Sequence, residues 1–478
     1  MFRPRSFWII ALFVFCAAFA GCRGDTGFGS GNQSSGNSSV VLAMTDTPPS
    51  NVSILSAEVT LTGATLNPGN VSLFSGSKLI ELTRLQTDTA YLATASNVSS
   101  GSYTSLSLTF ANPLLTIEND TTAAIVSGST TCAIGSICTI APTTTANLAT
   151  TITLSSFSIA ANSTAGLLVD VNLDNLLSAT MGEDFKAGTT VSSFTPGGTG
   201  ALLVGAEDVV GQITALDTAH NTFSIQNVTG TYSLAVDNSS SFFQFPTSAC
   251  TTSGIACLGT NQIVSVDISI GSNGSAVARN VVYEDADSSD TEVEGFITST
   301  NAGSQQFNIV TLDISAAGTG LSIGQIATVH YAVAPQTPFD VDFVHADNVA
   351  VSTSGYLFAA PTDLSVGQEV SIRRNSSSSG NSITADRVRL RSTRITATVH
   401  TIGAPYIYLY NPPSIFSGNA ITQIQVLTST PTIYSENGVS KDFSEVFVPG
   451  VISVRGPLFN ANIATTRNLV ATRIVIVP

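Results

Sequence analysis

Polar and apolar residues alternate along most of the chain. The alternation is clearest at 56–62 (SAEVTLT), 102–110 (SYTSLSLTF) and 167–173 (LLVDVNL). A period of two residues is typical of a β-strand that buries one face, and Gly, Pro, Asn and Asp residues separate such stretches as turns do. No long helical period is found. The pattern predicts an all-β fold of many short strands, as in sandwiches and small barrels.

The region after residue 200 repeats one pattern three times. The repeats open with VGQIT at 210–214, EGFIT at 294–298 and RITATV at 394–399. Their middles are LGTNQIVSV at 258–266, LSVGQEVSI at 364–372 and FVPGVISV at 447–454. Each repeat closes with an alternating strand that begins at an alanine: Ala278, Ala385 or Ala471. The glycine before glutamine in LSVGQEVSI, and in a further copy at 321–326 (LSIGQI), is expected to permit a tight turn.

Three small units therefore follow a separate N-terminal domain. A Gly- and Thr-rich stretch at 182–200 predicts the boundary, which places the N-terminal β domain at 40–200. The repeats are predicted at 205–284, 293–391 and 394–477. We expect each to be a small antiparallel β-barrel, because closure removes the two edges that an open meander would expose.

The first 21 residues are predicted to be a secretory signal peptide. Arg3 and Arg5 precede an uncharged apolar run at 7–19, and small residues follow it. The run is too short to span a bilayer, which takes about 20 residues. Residues 22–39, rich in Gly, Ser and Asn, are expected to form a flexible tether.

The residues Phe19-Ala20-Gly21-Cys22 resemble the lipobox of bacterial lipoproteins, although Phe19 stands where that family prefers an aliphatic residue. The resemblance implies cleavage before Cys22 and lipidation of its thiol. The alternative is ordinary signal cleavage with Cys22 left as a free thiol. Arg23, rather than Asp, favours an outer-membrane location. We expect a lipid-anchored protein of the cell envelope with the membrane as its partner.

The composition is acidic and poor in charge. The chain has 17 Lys and Arg, 32 Asp and Glu, and a formal net charge of -15, and only 10% of its residues are charged. Because an acidic body is repelled by phosphates, we expect no nucleic acid partner. Abundant Thr, Val and Ile at low charge are typical of β-sheet, not of a disordered chain.

The cysteines predict two disulfides. Cys16 leaves with the signal peptide and Cys22 takes the lipid. The remaining four form two close pairs, Cys132 with Cys138 and Cys250 with Cys257. An even set in an exported chain is typical of disulfides. A metal site is the alternative, but the spacing and the lack of a nearby histidine fit it poorly.

No motif of catalysis is present, so we expect no enzyme and no cofactor. The four histidines share no metal-ligand spacing. The densest acidic run, 284–294, is expected to be a solvated linker. Its alternative is a calcium site formed by Asp285, Asp287 and Asp290, since calcium takes six to eight oxygens.

Tyr406, Tyr408 and Tyr410 alternate on one predicted strand and therefore share a face. Exposed rings of this kind can form a platform for a sugar ring. The alternative is that they are half-buried and pack within the fold, as tyrosines of β-sheets commonly do.

Two family resemblances follow from these motifs. The repeats resemble domain-of-unknown-function family 5666 through their Gly-x-Ile-Thr opening, Leu-x-x-Gly-Gln middle and Ala-x-x-Val close. The N-terminal domain resembles family 4382 at 45–48 (TDTP), 79–82 (LIEL), 100–104 (SGSYT) and 168–172 (LVDVN). The second resemblance implies an Ig-like or carbohydrate-binding-like β-sandwich on a lipoprotein tether. Neither family has an activity or functional residues to transfer.

We therefore expect a lipid-anchored, non-enzymatic envelope protein that acts as a structural or adhesive array of β modules. The alternative is a carbohydrate-binding protein that uses the N-terminal sandwich or the tyrosine face, with a polysaccharide as a possible partner. A third hypothesis is an enzyme whose residues converge only in the fold. The sequence predicts no oligomeric state.

Overall fold

The computed structural model describes most of the chain and confirms the all-β fold class. The described residues are 38–47, 53–142, 145–178, 181–197, 206, 208–239, 241–286, 291–316, 319–341, 356–430, 432–436 and 439–477. In this part of the chain 33 strands occur, with only two one-turn α-helices, α1 (Leu173–Leu176) and α2 (Ser414–Ser417). Short 3-10 turns lie at Thr83–Gln86, Gly254–Cys257, Ala302–Ser304, Pro361–Asp363 and Phe443–Glu445.

The N-terminal unit, called the sandwich below, has thirteen strands. They are β1 (Ser38–Thr47), β2 (Ser53–Asn67), β3 (Val71–Glu81), β4 (Ala90–Val98), β5 (Gly101–Glu118), β6 (Ile125–Ser127), β7 (Thr130–Cys132), β8 (Ile137–Ile140), β9 (Thr145–Ala146), β10 (Ala149–Ile159), β11 (Thr164–Asn172), β12 (Glu183–Asp184) and β13 (Thr189–Phe194). One sheet has the order β13-β11-β1-β4, and the other has the order β10-β5-β2-β3 with β8 paired to β5. Two small ribbons, β6–β7 and β9–β12, complete the unit.

The two sheets of the sandwich enclose one core. Alternate residues of β1 and β5 point inward, as the period of two predicts: Val40, Leu42, Met44, Leu106, Leu108 and Phe110. Phe110 stacks on Phe185 with ring centroids 4.7 Å apart. Burial of such rings and aliphatic chains stabilises the unit by roughly 1.5–3 kcal/mol per side chain.

The remaining strands form three barrels. Barrel 1 contains β14 (Val209–Asp217), β15 (Thr222–Asn227), β16 (Gly230–Val236), β17 (Phe242–Gln244), β18 (Ile263–Ile270) and β19 (Ala276–Asp285). Barrel 2 contains β20 (Thr291–Asn301), β21 (Gln306–Ile314), β22 (Ile326–His330), β23 (Phe339–Val341), β24 (Glu369–Arg374) and β25 (Ser382–Leu390). Barrel 3 contains β26 (Ser392–Gly403), β27 (Tyr406–Tyr410), β28 (Gln423–Leu427), β29 (Ile433–Glu436), β30 (Val439–Lys441), β31 (Val451–Asn460), β32 (Thr466–Val470) and β33 (Arg473–Val477).

All three barrels share one topology. In barrel 1 the order is β16-β15-β14-β18-β19, and β19 closes the ring by a parallel pairing to β16. Barrel 2 repeats this order, with β25 closing onto β22. In barrel 3 the closing strand is divided into β32 and β33. Three strands in a meander, followed by a fourth that pairs with the first and a fifth that closes in parallel on the third, form an OB-type barrel.

A β-bulge occurs at the same place in the first strand of each barrel. The register shifts lie between Ile213 and Ala215, between Ile297 and Ser299, and between Val399 and Thr401. The bulges leave Thr214, Thr298 and His400 outside the ladder. A bulge bends its strand, which helps a short strand to curve around a small barrel. These shared registers allow residues of the three barrels to be equated one by one.

The repeated Gly-Gln motif has a structural role. The side-chain oxygen of Gln368 accepts a hydrogen bond from the backbone N–H of Ser365 at 2.7 Å, and Gln262 and Gln325 do the same for the residues three positions before them. Gly367 has a φ of +92°, a conformation that favours glycine. The motif therefore closes its own turn, as the sequence predicted for the glycine.

Candidate functional site

Charged side chains are buried where the sandwich and the three barrels meet. We call this group the junction network. Its members are Arg84 and Asp88 of the sandwich; Asp208 and Glu284 of barrel 1; Glu292, Glu294, Asp313, Glu369, Arg373, Arg387, Arg389 and Arg391 of barrel 2; and Arg394, Arg455 and Arg473 of barrel 3. Buried charges of this kind must be paired to be tolerated.

Three equivalent positions in each barrel contribute to the network or lie beside it. The pairing of the fourth strand with the fifth shows which residues of the three barrels are equivalent. Val266, Ile372 and Val454 occupy one position in this register. The residues that follow them, Asp267, Arg373 and Arg455, therefore also share one position. The bulges and closing strands define the other two positions in the same way. The resulting triads are Asp208, Asp267 and Asn280 in barrel 1; Glu292, Arg373 and Arg387 in barrel 2; and Arg394, Arg455 and Arg473 in barrel 3.

Barrel 1 satisfies its triad largely from within. Asp267 accepts hydrogen bonds from the backbone N–H of Asp208 at 2.9 Å and from the side chain of Asn280 at 2.7 Å. In barrel 2, the carboxylate of Glu292 lies 2.8 Å from the guanidinium of Arg387 and 3.4 Å from that of Arg373. These two triads contain hydrogen-bond or charge partners of their own.

Barrel 3 has three arginines in its triad and takes its counter-charges from other units. Asp88 of the sandwich lies 2.5 Å from Arg394, 3.8 Å from Arg473 and 3.9 Å from Arg455. Burial raises the pKa of Asp88, but the three arginines outweigh this effect and hold the pKa below its ordinary value. Asp208 of barrel 1 adds a second carboxylate, 2.7 Å from Arg455.

Glu284 joins barrel 1 to barrel 2. It is fully buried at the end of β19 and meets Arg387, Arg389 at 3.1 Å and Arg391 at 2.8 Å. Burial opposes ionisation of Glu284, but the positive charges of the three arginines lower its pKa below the ordinary value. Arg389 and Arg387 alternate along β25, so both point out of the barrel 2 core toward barrel 1.

Arg84 joins the sandwich to barrel 2. Its guanidinium lies 2.9 Å from Glu294 and 3.4 Å from Asp313, and it donates to the backbone oxygen of Asp208 at 3.2 Å. Asp313 also accepts from Asn227 of barrel 1 at 3.2 Å. Burial raises the pKa of Asp313 to about 7, with Arg84 acting against this shift and Glu294 adding to it.

A second contact between the sandwich and barrel 2 lies beside the network. The hydroxyl of Thr116 donates to the backbone oxygen of Gly324 at 2.6 Å, in the turn before β22. Glu58 lies against the same turn, and one of its carboxylate oxygens has no hydrogen-bond partner among the described residues. Burial, followed by repulsion from Glu81, raises the pKa of Glu58 to about 8. This acid is therefore protonated at neutral pH.

Many ion pairs of the network join different units. They connect the sandwich to barrels 2 and 3, barrel 1 to barrels 2 and 3, and barrel 2 to barrel 3. Breaking such a buried pair leaves a charge uncompensated, which costs roughly 3–5 kcal/mol. Buried ion pairs contribute little net stability compared with apolar packing, but they select one arrangement over others. Ion pairs of the network therefore connect all four units.

Both predicted disulfides are confirmed. Cys132 bonds to Cys138 between β7 and β8, and Cys250 bonds to Cys257 in the connection from β17 to β18. The Cα atoms are 5.7 Å and 5.3 Å apart. The bonds stabilise two connections that lack long strands of their own.

The acidic run at 284–294 is not the solvated linker that the sequence predicts, because Glu284, Glu292 and Glu294 are buried in ion pairs. The alternative calcium ligands are not brought together in the described part of the chain either. Asp285 pairs with Arg373 at 2.8 Å, whereas Asp287 and Asp290 lie outside the described residues. Within the described ranges no three His, Cys, Asp or Glu side chains are placed to hold a metal ion. The lipidation candidate Cys22 and the signal peptide also lie outside the described residues.

The three predicted tyrosines lie on β27, the second strand of barrel 3, and share its outer face. Tyr406 and Tyr408 are half-buried, and Tyr410 is 38% exposed. Between them, Ile407 and Leu409 enter the core. The tyrosines are thus placed together as predicted, while their ligand-binding role stays a prediction.

A cleft of about 510 Å³ lies beside the corresponding face of barrel 1. It is lined in part by Ser224 and Ser233 of barrel 1 and by Tyr91 and Thr94 of β4. Thr94 donates to the backbone oxygen of Gly274 at 2.5 Å, which holds β4 of the sandwich against the loop between β18 and β19. The sandwich therefore contacts barrel 1 at the edge of this cleft.

Sequence reasoning missed the junction network. A signal was present, because Arg387 and Arg389 stand on an otherwise core-type strand and the chain contains few cations elsewhere. Arg394 and Glu294 also sit within the repeated openings. Their partners could not be found from sequence, since Asp88 and Arg394 are 306 residues apart.

The chain has few recognisable relatives. No family model matches it, and no curated protein matches it. A solved structure that is similar to the chain is a multidomain protein with nucleic acid binding domains from Streptococcus pneumoniae TIGR4. The similarity covers 55% of this chain and 72% of that chain at 11% identity, with a TM-score of 0.10. The two family resemblances stay predictions.

One prediction about partners is corrected. Nucleic acid was excluded from the net charge of -15, and that exclusion is wrong, because a protein to which the chain is similar is described as having nucleic acid binding domains. Net charge sums the whole chain, whereas binding depends on the groups of one face. At a TM-score of 0.10 the similarity carries no argument that this chain itself binds nucleic acid. The predicted membrane and polysaccharide partners find no support in these comparisons.

No helix in the described ranges has both the length and the apolar character needed to cross a bilayer.

Proposed function

We propose that the chain is a non-enzymatic, extracytoplasmic structural protein in which the sandwich and the three barrels act as one rigid body. The observation that carries this proposal is the junction network, because its ion pairs join the units to one another. A structural spacer needs a fixed geometry between its modules, and cross-unit pairs supply it more directly than flexible linkers would.

The disulfides support the extracytoplasmic part of the proposal. Disulfides persist in oxidising compartments and are rare in the cytosol of most organisms. Four of the six cysteines form such bonds. The apolar run at 7–19 with its preceding arginines is typical of an export signal.

We further propose that the body is held at the cell envelope by a lipid on Cys22. The support is the lipobox-like stretch 19–22. The predicted tether, which can reach only to the start of β1 at Ser38, would separate the body from the headgroups. Labelling cells with radioactive palmitate tests the anchor. We expect label on the wild-type protein and none on Cys22→Ala, while label retained by Cys22→Ala would contradict it.

Spin-label distances test the rigid body. Labels at the exposed positions Thr151 and Ser377, in the sandwich and barrel 2, would be introduced as cysteines in a Cys22→Ala background. We expect one narrow distance distribution in the parent and a broadened one after Asp88→Asn. A broad distribution in the parent would contradict the proposal. A matched pair within the sandwich, at Thr151 and Asn162, should stay narrow in both backgrounds.

A further inference from the structure

The outer face of the second strand differs sharply among the three barrels. The equivalent outward positions, read from the shared bulge, are Thr222, Ser224 and Gln226 in barrel 1; Gln306, Asn308 and Val310 in barrel 2; and Tyr406, Tyr408 and Tyr410 in barrel 3. The inward positions between them are apolar in every barrel. The fold therefore needs apolar residues inside but does not need aromatic residues outside.

The third strand shows the same contrast. Opposite the outward positions barrel 1 has Ser233 and barrel 2 has Thr328, which pair with their neighbours through hydroxyls. Barrel 3 has Gln425 opposite Tyr408 and Gln423 opposite Tyr410. Two primary amides thus line the row of rings, and the amide of Gln423 donates to the Tyr410 hydroxyl at 3.3 Å.

A flat heterocycle of the protein already contacts this face. The imidazole of His400, at the bulge, is tilted against the ring of Tyr410, with centroids 4.2 Å apart and planes inclined by 33°. The rings of Tyr406 and Tyr408 are 6.4 Å apart. His400 and Tyr410 are exposed, so this end of the row is open. A second planar ring of similar chemistry fits the same mode of contact.

We define the ring face as the side chains of His400, Tyr406, Tyr408, Tyr410, Gln423 and Gln425. None of these six side chains carries a carboxylate, guanidinium or ammonium group. Outer strands 2 and 3 are the surface that OB-type barrels use for ligands. Aromatic side chains there stack on bases, and the bidentate amide of glutamine matches the donor and acceptor edge of adenine.

We propose that the ring face of barrel 3 binds an uncharged heteroaromatic ring of the purine nucleoside class. The ring would stack on the tyrosines, and Gln423 and Gln425 would hydrogen-bond its edge. A free nucleoside is favoured over a polynucleotide because the face offers no cation to the phosphates. This site is independent of the rigid-body proposal, since it lies outside the junction network.

The test is a calorimetric titration of the mature chain, in a Cys22→Ala background, with adenosine at low and at high salt. We expect saturable binding with the same affinity at both salt concentrations, because the ligand is uncharged. Tyr410→Ala should weaken binding by roughly tenfold, the loss of one stacked ring. Gln425→Ala should weaken it several-fold. Asn308→Ala, at the barrel 2 position equivalent to Tyr408, is the matched control and should bind as the parent does.

Other outcomes would overturn the proposal. No heat with adenosine up to millimolar concentration would do so, as would binding unchanged by Tyr410→Ala. Tighter binding of oligo(dA) that falls steeply with salt would move the assignment to single-stranded nucleic acid. Binding of a neutral oligosaccharide without binding of adenosine would move it to sugar chemistry. Thermal unfolding of each variant checks that a lost response is not lost folding.

Discussion

Barrel 1 and barrel 3 have the same topology, the same bulge and equivalent polar triads, yet they use them differently. The triad of barrel 1 finds hydrogen bonds within the barrel, from Asn280 and a backbone N–H to Asp267. The triad of barrel 3 is three buried arginines that depend on Asp88 of the sandwich and Asp208 of barrel 1. The residues at three equivalent positions therefore decide whether a triad finds partners partly in its own barrel or only in its neighbours.

The outer faces of the two barrels also differ, in chemistry rather than in exposure. Barrel 1 presents the hydroxyls of Ser224 and Ser233 beside a cleft that β4 also lines, whereas barrel 3 presents a row of tyrosines. The barrel that depends most on its neighbours for charge is also the one with the aromatic face.

Replacing Asp88 by asparagine should break the dependence of barrel 3 most severely. Asp88→Asn keeps the shape but leaves three buried arginines without their shared carboxylate, so we expect a loss of roughly 3–5 kcal/mol in the free energy of unfolding. Urea unfolding measures it. Asp442→Asn, at an exposed carboxylate of barrel 3, is the control and should leave the free energy of unfolding nearly unchanged. Equal effects of both variants would contradict the comparison.

The turn glutamines provide a second difference between barrels. Gln368 is fully buried and, besides closing its turn, donates to the backbone oxygen of Leu458 in barrel 3 at 3.0 Å. Gln262 of barrel 1 closes its turn, and among the described residues its side chain makes no hydrogen bond to another unit. We expect Gln368→Ala to cost about 2–3 kcal/mol, because buried partners lose their bonds, and Gln262→Ala about 1 kcal/mol. Urea unfolding measures both losses. A larger fall of the unfolding midpoint in Gln368→Ala than in Gln262→Ala, with the same dependence on urea concentration in all proteins, would support the difference.

The contact of the sandwich with barrel 2 should depend on pH through Glu58. Its folded pKa is raised to about 8, above its unfolded value, so the native state holds the proton more tightly. Stability from this group is present at low pH and is lost as the pH rises toward 8. Glu58→Gln should therefore exceed the wild type by about 1–2 kcal/mol at pH 9 and match it near pH 4. A parallel pH profile for both proteins would contradict this.

The smallest expected effect is at the tyrosine face. Tyr408→Ser places in barrel 3 the residue that barrel 1 has at the same position, Ser224. Because the fold does not need the ring, we expect the free energy of unfolding to change by less than about 0.5 kcal/mol. Thermal melting measures it. Ile407→Ser, the adjacent core residue, is the control and should cost several kcal/mol. A large loss in Tyr408→Ser would assign the tyrosines to packing.

The elements that could be predicted share one property: their signal lies within a short stretch. Alternation at 102–110 became β5, the repeated Leu-x-x-Gly-Gln became a self-closing turn, and the close cysteine pairs became disulfides. The parallel strand pairing that closes each barrel could not be predicted from the alternation of polar and apolar residues. In barrel 1, for example, β16 and β19 pair through only two residues of each strand, about forty positions apart in the chain.

The junction network was hidden for a different physical reason. Its equivalent positions carry Asp, Glu or Arg in different barrels, so the repeat pattern conceals them. The charge of Asp88 matters only after the sandwich has packed against barrel 3, and no local rule states which carboxylate an arginine of the third repeat will meet. The three tyrosines, by contrast, could be recognised in the sequence as an alternating row. The residues that replace them in barrels 1 and 2 could be identified only from the strand registers of the structure.

The central claim, that cross-unit ion pairs make four β units one body, is tested most directly by calorimetric unfolding of the mature chain. The account predicts a single transition for the parent, with calorimetric and van't Hoff enthalpies in agreement, and separate transitions after Asp88→Asn. Separate melting of the units in the parent, or a single unshifted transition in Asp88→Asn, would contradict it.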